Sequence, residues 1–266
     1  MIKSHYTITQ FPDGTHLIQF DKHNKNHISP DTIIWLYESM SEFADVAMIA
    51  AHIHEKTPMQ PTLIMPYIPN ARMDRTKNGE VFTLKYFCQM INAMNFEEVR
   101  VFDPHSDVSV ALLDRVYIMR QTLKQNILAA IKKSSPDALY FPDAGALKRY
   151  SDYVPTGAPV LYGNKHRDWS TGKILGLDVV GQVTPGMKIL MIDDICSYGG
   201  TMYYSAQKLK ELGAGDISMY ISHCENSILD PKRGHLFDAP NMIHKVYTTN
   251  SIFTGHHDKI EIIHTF

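Results

Sequence analysis

The segment of the chain with the clearest chemical potential spans residues 188–201 and reads KILMIDDICSYGGT. Its apolar run at residues 189–192 is typical of a buried parallel strand, and the adjacent carboxylates Asp193 and Asp194 follow directly. Carboxylates at the end of such a strand are suited to binding sugar hydroxyls or a divalent cation. The alternative is an ordinary strand–helix turn whose acidic pair is solvated.

A glycine-bearing loop comes next and ends in Gly199, Gly200 and Thr201. The residues after it have the apolar spacing of an amphipathic helix, which Gly213 is expected to close as a C-terminal cap. Strand, loop and helix N-terminus in this order form an anion site, because loop N–H groups and the positive end of the helix converge on the same place. The segment therefore predicts a phosphate-binding loop.

Other charged side chains also follow predicted strands. Strand and helix patterns alternate through both halves of the chain, which predicts an α/β fold with two doubly wound, mainly parallel sheets. Chemistry in such sheets lies at the C-terminal strand ends. We place the boundary so that the domains are residues 1–120 and 121–266. The residues at predicted strand ends are Arg72, Asp74 and Arg75, Asp103 and His105, Asp143, and Lys165 and Arg167.

Each of these residues also has a purely structural interpretation. Residues 72–75 fit a charged turn in solvent, His105 fits a core histidine bonded to the backbone, and Asp143 fits a helix N-cap. Lys165 and Arg167 fit surface charges on a polar segment that we predict over residues 163–172. Composition also predicts a turn at residues 11–14 and a polar loop or hairpin tip at 21–31.

Charge and composition exclude several classes of function. A formal charge of −2 over 266 residues argues against a general polyanion-binding surface, so we expect no nucleic-acid partner. Three cysteines without metal-ligand spacing fit a reduced cytoplasmic protein, and the N-terminus lacks the apolar core of a signal peptide. No apolar run approaches the roughly 18 residues of a membrane span. Phosphate chemistry, if present, is therefore expected to be local.

In this order, the motifs resemble those of the ribose-phosphate pyrophosphokinases, also called PRPP synthetases. FPDGT at residues 11–15 is similar to the family's FPDGE. PYIPNARMDR at residues 66–75 resembles its nucleotide loop, PYxxYARQDR. DPHS at residues 103–106 resembles its metal segment, DLHA.

The second half of the chain continues the resemblance. FPD at residues 141–143 is similar to the family's SPD turn, and KHR at 165–167 is similar to its mobile-loop KRR. IDDICSYGGT at residues 192–201 resembles VDDMIDTGGT. The resemblance implies domains of phosphoribosyltransferase-like type. It also implies transfer of the β,γ-diphosphoryl group of ATP to the anomeric hydroxyl of ribose 5-phosphate, with Mg²⁺ as cofactor, PRPP as product and release of AMP.

The resemblance also assigns roles to residues. On the nucleotide side, it implies ATP contacts from Asp13, Arg72, Asp74, Arg75 and His105, and Mg²⁺ ligation by Asp103, His105 and Asp143. On the sugar side, it implies ribose-phosphate binding by Asp143, Asp193, Asp194, Ser197, Tyr198, Gly199, Gly200 and Thr201. It makes Lys165 and Arg167 the catalytic cations, which close over the phosphates and then release them.

Several positions depart from the family pattern. The chain begins almost at the FPDG motif, so the family's opening strand–helix unit is missing or replaced, and Thr15 stands in place of glutamate. Family members usually form hexamers through this region, and we therefore expect a homo-oligomer that is either a dimer or a hexamer. Pro104 replaces leucine, and Met73 replaces a glutamine and forfeits its hydrogen bond.

The most informative departure lies in the phosphate loop, where Ser197 and Tyr198 replace aspartate and threonine. In one interpretation, their hydroxyls bind ribose 5-phosphate with altered geometry. In the other, the flat ring of Tyr198 accommodates a bulkier acceptor such as ADP-ribose, whose phosphodiester has fewer terminal oxygens and an adenosine to stack. Both interpretations keep the same transfer chemistry.

Two other functional classes share the sugar-side motifs. A type I phosphoribosyltransferase has the acidic pair and the phosphate loop, but it does not need the charged segments at residues 72–75 and 103–105. A non-catalytic regulatory homologue characteristically loses its loop cations or metal ligands, whereas Lys165, Arg167 and His105 are present here. The sequence therefore favours the synthetase.

Overall fold

The computed structural model describes residues 1–21, 29–77, 79–167, 174–239 and 242–266, with backbone alone at 165–167 and 174–175. Most of the predicted loop at residues 21–31 lies outside the described residues. The chain divides into two compact units, Met1–Arg120 together with Phe266, and Gln121–Thr265. No helix in the described ranges combines the length and apolar character that a membrane crossing requires.

The first unit contains a five-stranded sheet and a separate hairpin. Its strands are β1 (Ile2–Lys3), β2 (Tyr6–Gln10), β3 (His16–Phe20), β4 (Thr32–Trp35), β5 (Thr62–Ile64), β6 (Glu98–Val101) and β7 (Val116–Ile118). Its helices are α1 (Glu42–Lys56), α2 (Thr83–Ala93) and α3 (Asp107–Leu112). The strand order is β1-β4-β5-β6-β7, with β4 to β7 parallel and β1 antiparallel. Strands and helices enclose an apolar core that includes Trp35, Ile49, Leu63 and Phe87.

The hairpin of the first unit is formed by β2 and β3. The predicted turn joins them: the Phe11 N–H donates to the Thr15 carbonyl at 2.8 Å, and Gly14 has the positive φ, +85°, that such a turn requires. The buried Asp45 of α1 accepts a hydrogen bond from the His16 ring at 2.7 Å. This contact ties the hairpin to the helix.

The second unit is built on a seven-stranded sheet. Its strands are β8 (Ala138–Phe141), β9 (Val160–Arg167), β10 (Ile174–Val180), β11 (Ile189–Cys196), β12 (Ile217–Cys224), β13 (Lys245–Thr249) and β14 (Ile260–Ile263). Its helices are α4 (Arg120–Ser134), α5 (Ala144–Tyr150) and α6 (Gly200–Glu211), and two short 3-10 helices are Asn226–Leu229 and His235–Phe237. The order is β10-β9-β8-β11-β12-β13-β14, and all pairs are parallel except β9 with β10.

The strand order of the second unit reverses between β8 and β11. From β8 the chain moves outward to β9, and from β11 it moves the other way to β12. In parallel sheets such a reversal opens a crevice at the carboxyl ends of the two central strands, which is where ligands bind. The prediction of an α/β fold with mainly parallel sheets is confirmed.

Two sequence-based boundaries were wrong. The acidic pair does not follow its strand but lies within it, because β12 continues alongside and pairs Asp193 with Ile221 and Cys196 with Cys224. The polar segment predicted at residues 163–172 starts as strand, because β9 continues to Arg167 in an antiparallel pairing with β10. Periodicity missed both extensions, since a polar side chain does not prevent backbone pairing.

The cap predicted at the end of α6 is present. Gly213 has φ +95°, its N–H donates to the Lys210 carbonyl at 2.9 Å, and the Ala214 N–H donates to the Leu209 carbonyl at 3.0 Å. These two bonds are those of a Schellman motif. The cap fixes the end of the helix that follows the glycine loop.

We predict that Gly213→Ala lowers the free energy of unfolding by about 1–2 kcal/mol, because an L-residue in the left-handed region costs that much. A Cβ at this position meets Pro185 Cα only at an ordinary 3.6 Å, so the backbone conformation alone accounts for the loss. Urea denaturation measures it. Gln207→Ala, on the exposed face of α6, is the matched control and is expected to stay within about 0.5 kcal/mol of wild type; equal losses in the two variants contradict the assignment.

Candidate active site

In the first unit, the predicted nucleotide segments follow the carboxyl ends of two adjacent parallel strands, β5 and β6. The Phe102 N–H donates to the Pro66 carbonyl at 3.0 Å, so the two segments remain hydrogen-bonded just beyond the ends of β5 and β6. Residues 66–75 and 103–106 therefore start from the same edge of the sheet. This is the edge at which ligands of parallel sheets bind.

The basic residues of the first of these segments are exposed. Arg72 and Arg75 face solvent, and the Arg75 Nε lies 3.4 Å from the Asp74 carboxylate. Because 84% of the Arg75 side chain is exposed to solvent, this ion pair contributes little to stability. The two arginines are therefore accessible to a phosphate ligand, although the same exposure fits a solvated turn.

The second segment holds the predicted metal ligands Asp103 and His105. Asp103 is only 3% exposed and has a positive φ of +41°, an uncommon conformation for a residue other than glycine. His105 is half-buried, and the hydroxyl of the neighbouring Ser106 is buried without a hydrogen-bond partner among the described residues. Buried polar groups at one strand end are consistent with a ligand site.

Asp13 lies in the hairpin turn of the first unit and is exposed. Its carboxylate accepts hydrogen bonds from the Thr15 hydroxyl at 2.6 Å and from the Thr15 N–H at 3.0 Å. Both hydrogen bonds lower the pKa of Asp13, and the one from the hydroxyl has the larger effect. Thr15, which replaces the family's glutamate, therefore keeps Asp13 ionised and oriented.

A magnesium site made by protein alone is not present: the described part of the chain contains no group of three His, Cys, Asp or Glu side chains placed to hold a metal ion. Mg²⁺ retains water readily and is commonly held by one or two carboxylates together with substrate phosphates. In the first unit, the donors of Asp103 and His105 fit an ion that arrives with its nucleotide.

In the second unit, Asp143 follows β8 and caps α5. Its carboxylate accepts a hydrogen bond from the Ala146 N–H at 3.0 Å, which is the N-cap contact expected from the structural interpretation. The side chain is nevertheless exposed, and its charge contributes to raising the pKa of Asp193. Asp143 therefore acts as a cap and also lies within electrostatic reach of the acidic pair.

The acidic pair in β11 contains a strongly perturbed carboxyl group. Burial raises the pKa of Asp193 well above its usual range, and the adjacent Asp194 carboxylate raises it further. Asp194, only 6% exposed, accepts a hydrogen bond from Arg149 Nη1 at 3.0 Å. Arg149, near the end of α5, was not predicted from the sequence, because its spacing from Asp194 gives no signal of the contact.

The glycine loop leads into α6 as predicted, although the helix begins at Gly200 and therefore includes Thr201. Gly199 is the N-cap residue, with φ +83°. Ser197 Oγ lies 3.0 Å from the Ser227 hydroxyl, in the segment after β12. A second unpredicted residue of that segment, Arg233, places its guanidinium 4.3 Å from the centre of the Tyr198 ring.

The predicted catalytic cations lie in β9. The backbone of Lys165 pairs with Leu177, and that of Arg167 pairs with Ile174. Their side chains lie outside what the structure describes. The hairpin formed by β9 and β10 begins beside the end of β8, where Phe141 pairs with Tyr162. Asp143 also follows the end of β8.

Comparisons with known proteins agree with this architecture. No protein-family model matches the chain. A protein named ribose-phosphate pyrophosphokinase from Sulfurisphaera tokodaii is 25% identical over 245 residues, covering 91% of this chain and 82% of the relative. A second protein of that name, from Pyrococcus abyssi, is 26% identical over 220 residues, covering 81% and 75%.

The comparison with solved structures shows a similar fold. The crystal structure of a phosphoribosylpyrophosphate synthetase from Mycobacterium smegmatis superposes with a TM-score of 0.71 at 20% identity, covering 98% of this chain and 86% of that one. This chain is therefore similar in sequence to proteins named ribose-phosphate pyrophosphokinase and similar in fold to a phosphoribosylpyrophosphate synthetase. The resemblance read from the motifs is therefore confirmed, whereas the roles of individual residues remain predictions.

The perturbed carboxyl gives a prediction for stability against pH. Since the pKa of Asp193 is raised on folding, its stabilising contribution is complete below the unfolded value of 3.8 and is lost as pH rises through the folded value. We therefore expect Asp193→Asn to be more stable than wild type at pH 7. The difference in the free energy of unfolding between the variant and wild type should shrink towards zero as the pH falls to about 4. It should shrink by at most about 1.4 kcal/mol per pH unit.

Urea unfolding at pH 7, 6, 5 and 4 measures this difference. Asp152→Asn, at an exposed position of the same unit, is the control and should track wild type at each pH. A stability gap for Asp193→Asn that does not change with pH contradicts the prediction.

Proposed function

We propose that this protein transfers the β,γ-diphosphoryl group of ATP to the anomeric hydroxyl of a ribose 5-phosphate moiety and releases AMP. The observation that carries the proposal is the pair of adjacent carboxylates in β11, followed directly by a glycine loop and the N-terminus of α6. That order suits a sugar phosphate, because carboxylates accept from hydroxyls while N–H groups donate to phosphate. Homology to the ribose-phosphate pyrophosphokinases supports the same chemistry.

The reaction needs positioning and charge compensation more than a strong nucleophile. The anomeric oxygen bonds to the β-phosphorus of ATP while the bond from that phosphorus to the oxygen bridging the α-phosphorus breaks. The hydroxyl proton passes to water, and AMP departs with the bridging oxygen. Negative charge on both phosphate groups must be offset in the transition state. We assign this charge compensation to Lys165 and Arg167 on β9.

The remaining predicted residues act by binding. Arg72 and Arg75 would hold the nucleotide phosphates, since a guanidinium makes bidentate contacts, and Asp13, Asp74 and His105 would contact the nucleotide. Mg²⁺ bound with ATP, on Asp103, His105 and Asp143, would supply further charge compensation.

The sugar side explains why a perturbed acidic pair persists. Two adjacent carboxylates that lose water repel each other, and hydrogen-bond donors relieve that cost. Arg149 relieves it for Asp194, and the 2- and 3-hydroxyls of a bound ribose would relieve it for Asp193. The 5-phosphate would then lie on the loop from Ser197 to Thr201, at the N-terminus of α6.

The proposal is tested by incubating the protein with ATP, Mg²⁺ and a panel of ribose phosphates, and measuring AMP and the mass of the product. We expect AMP and a diphosphorylated ribose with no nucleobase present. Product only when a nucleobase and PRPP are supplied indicates a type I phosphoribosyltransferase instead. No product under either condition, with ligand binding retained, indicates a regulatory homologue. Sedimentation velocity on the same preparation tests whether the protein is a dimer or a hexamer.

We predict that Lys165→Ala lowers kcat by about 10²–10³-fold, the loss expected when one transition-state charge contact is removed. The affinity for ATP should change only modestly, because the contact is made chiefly in the transition state. Steady-state kinetics and ATP titration measure the two effects. Lys132→Ala, at an exposed position on α4, is the control and should leave both constants unchanged; retained turnover in Lys165→Ala removes this residue from the mechanism.

A further inference from the structure

A groove of about 240 Å³ opens beside the glycine loop of the second unit. It is lined by the side chains of Tyr198, Tyr203, Tyr204, Arg233, His235 and Asp238. Tyr198 belongs to the loop itself, and Gly200, at the start of α6, also borders the groove. The groove is therefore continuous with the place where the 5-phosphate of the acceptor is proposed to bind.

Arg233 provides the cationic element of this groove. Its guanidinium lies 4.3 Å from the centre of the Tyr198 ring, a cation–π contact that orients it. The Asp230 carboxylate is 3.6 Å away, too long for a normal hydrogen bond, and the Arg233 side chain is 66% exposed. A guanidinium has five N–H donors, so Arg233 retains donors for a phosphate oxygen.

Aromatic surface provides the second element. Tyr203 and Tyr204 pack edge to face, with ring centres 5.7 Å apart, and Tyr204 remains 62% exposed. Single exposed tyrosines are ordinary, but here three tyrosine side chains border one groove. Aromatic faces of this kind bind planar rings by stacking.

The charges of the groove also limit its ligand. The His235 ring lies 2.7 Å from the Asp238 carboxylate, so those two side chains satisfy each other locally. Asp230 partly offsets Arg233 and accepts hydrogen bonds from the Lys232 and Arg233 N–H groups. The groove is therefore not a general anion-binding site. It offers one guanidinium beside aromatic surface, and its volume is below the roughly 300–1,000 Å³ of sites that enclose a whole drug-sized ligand.

We propose that this groove binds the group attached to the 5-phosphate of the acceptor, with Arg233 on a second phosphoryl group and the tyrosines on a planar ring. The preferred acceptor is then a ribose linked through a diphosphate to a nucleoside. This inference rests on the proposed function, because it extends the acceptor site assigned there. It explains the aromatic residue in the loop: Tyr198 holds Arg233 in place.

The test uses ADP-ribose and ribose 5-phosphate as the two acceptors, and Arg233→Met as the variant. Isothermal titration without ATP gives the Kd of each acceptor, and steady-state assays with ATP and Mg²⁺ give kcat/KM. We expect Arg233→Met to weaken ADP-ribose binding at least tenfold and to change ribose 5-phosphate binding less than twofold. Tyr204→Ala should weaken ADP-ribose about fivefold, since stacking on an exposed ring is worth about 1 kcal/mol.

Lys232→Met is the matched control, because Lys232 is exposed, adjacent and equally charged but does not line the groove. It should leave both Kd values unchanged. The inference is overturned if wild type prefers ribose 5-phosphate, or if Arg233→Met and Lys232→Met weaken ADP-ribose equally. If wild type turns over neither acceptor, the proposed function fails, and the titrations still decide the groove: selective loss of ADP-ribose binding in Arg233→Met supports it, and no binding of ADP-ribose to wild type overturns it.

Discussion

Two neighbouring carboxylates lie inside a strand whose other side chains are apolar and mostly buried, and donors of the second unit compensate for them. Arg149 donates to Asp194, while Asp193 accepts a hydrogen bond from the Asp194 N–H at 3.0 Å and keeps a raised pKa. A fold selected for stability alone would place apolar residues here, because burying like charges is costly. The cost is understandable if hydroxyl donors from a ligand relieve it, which links the strand to the proposed chemistry.

The segment after β12 completes this arrangement from the other side of the glycine loop. Ser227 contacts Ser197, Arg233 covers the Tyr198 ring, and Leu236 packs 3.1 Å from where a Cβ at Gly199 would stand. The left-handed conformation of Gly199 favours glycine, and this close approach leaves little room for a Cβ. The loop is therefore shaped by residues 30 to 37 positions later in the sequence.

The parts of the fold that repeat a local pattern could be predicted from the sequence. Alternating strands and helices, the turn at residues 11–14 and the cap at Gly213 all follow from neighbouring residues. The lengths of β9 and β11 could not, because they depend on pairing with β10 and β12 rather than on their own side chains. The motifs indicated where the charged residues lie along the chain. They did not indicate Arg149 or Arg233, whose contacts with Asp194 and Tyr198 arise only from folding.

Gly163 follows Tyr162, the last β9 residue paired in parallel with β8, and is itself paired with Val179 of β10. A Cβ at this position would come within 2.5 Å of the Tyr140 hydroxyl and 2.6 Å of the Pro142 carbonyl oxygen. A protein engineer who randomises residues to alter acceptor choice can vary the exposed tyrosines freely, but must leave this glycine intact. Any side chain there would meet the backbone of residue 142 and displace the hairpin, so this position is closed to change in laboratory evolution of the scaffold.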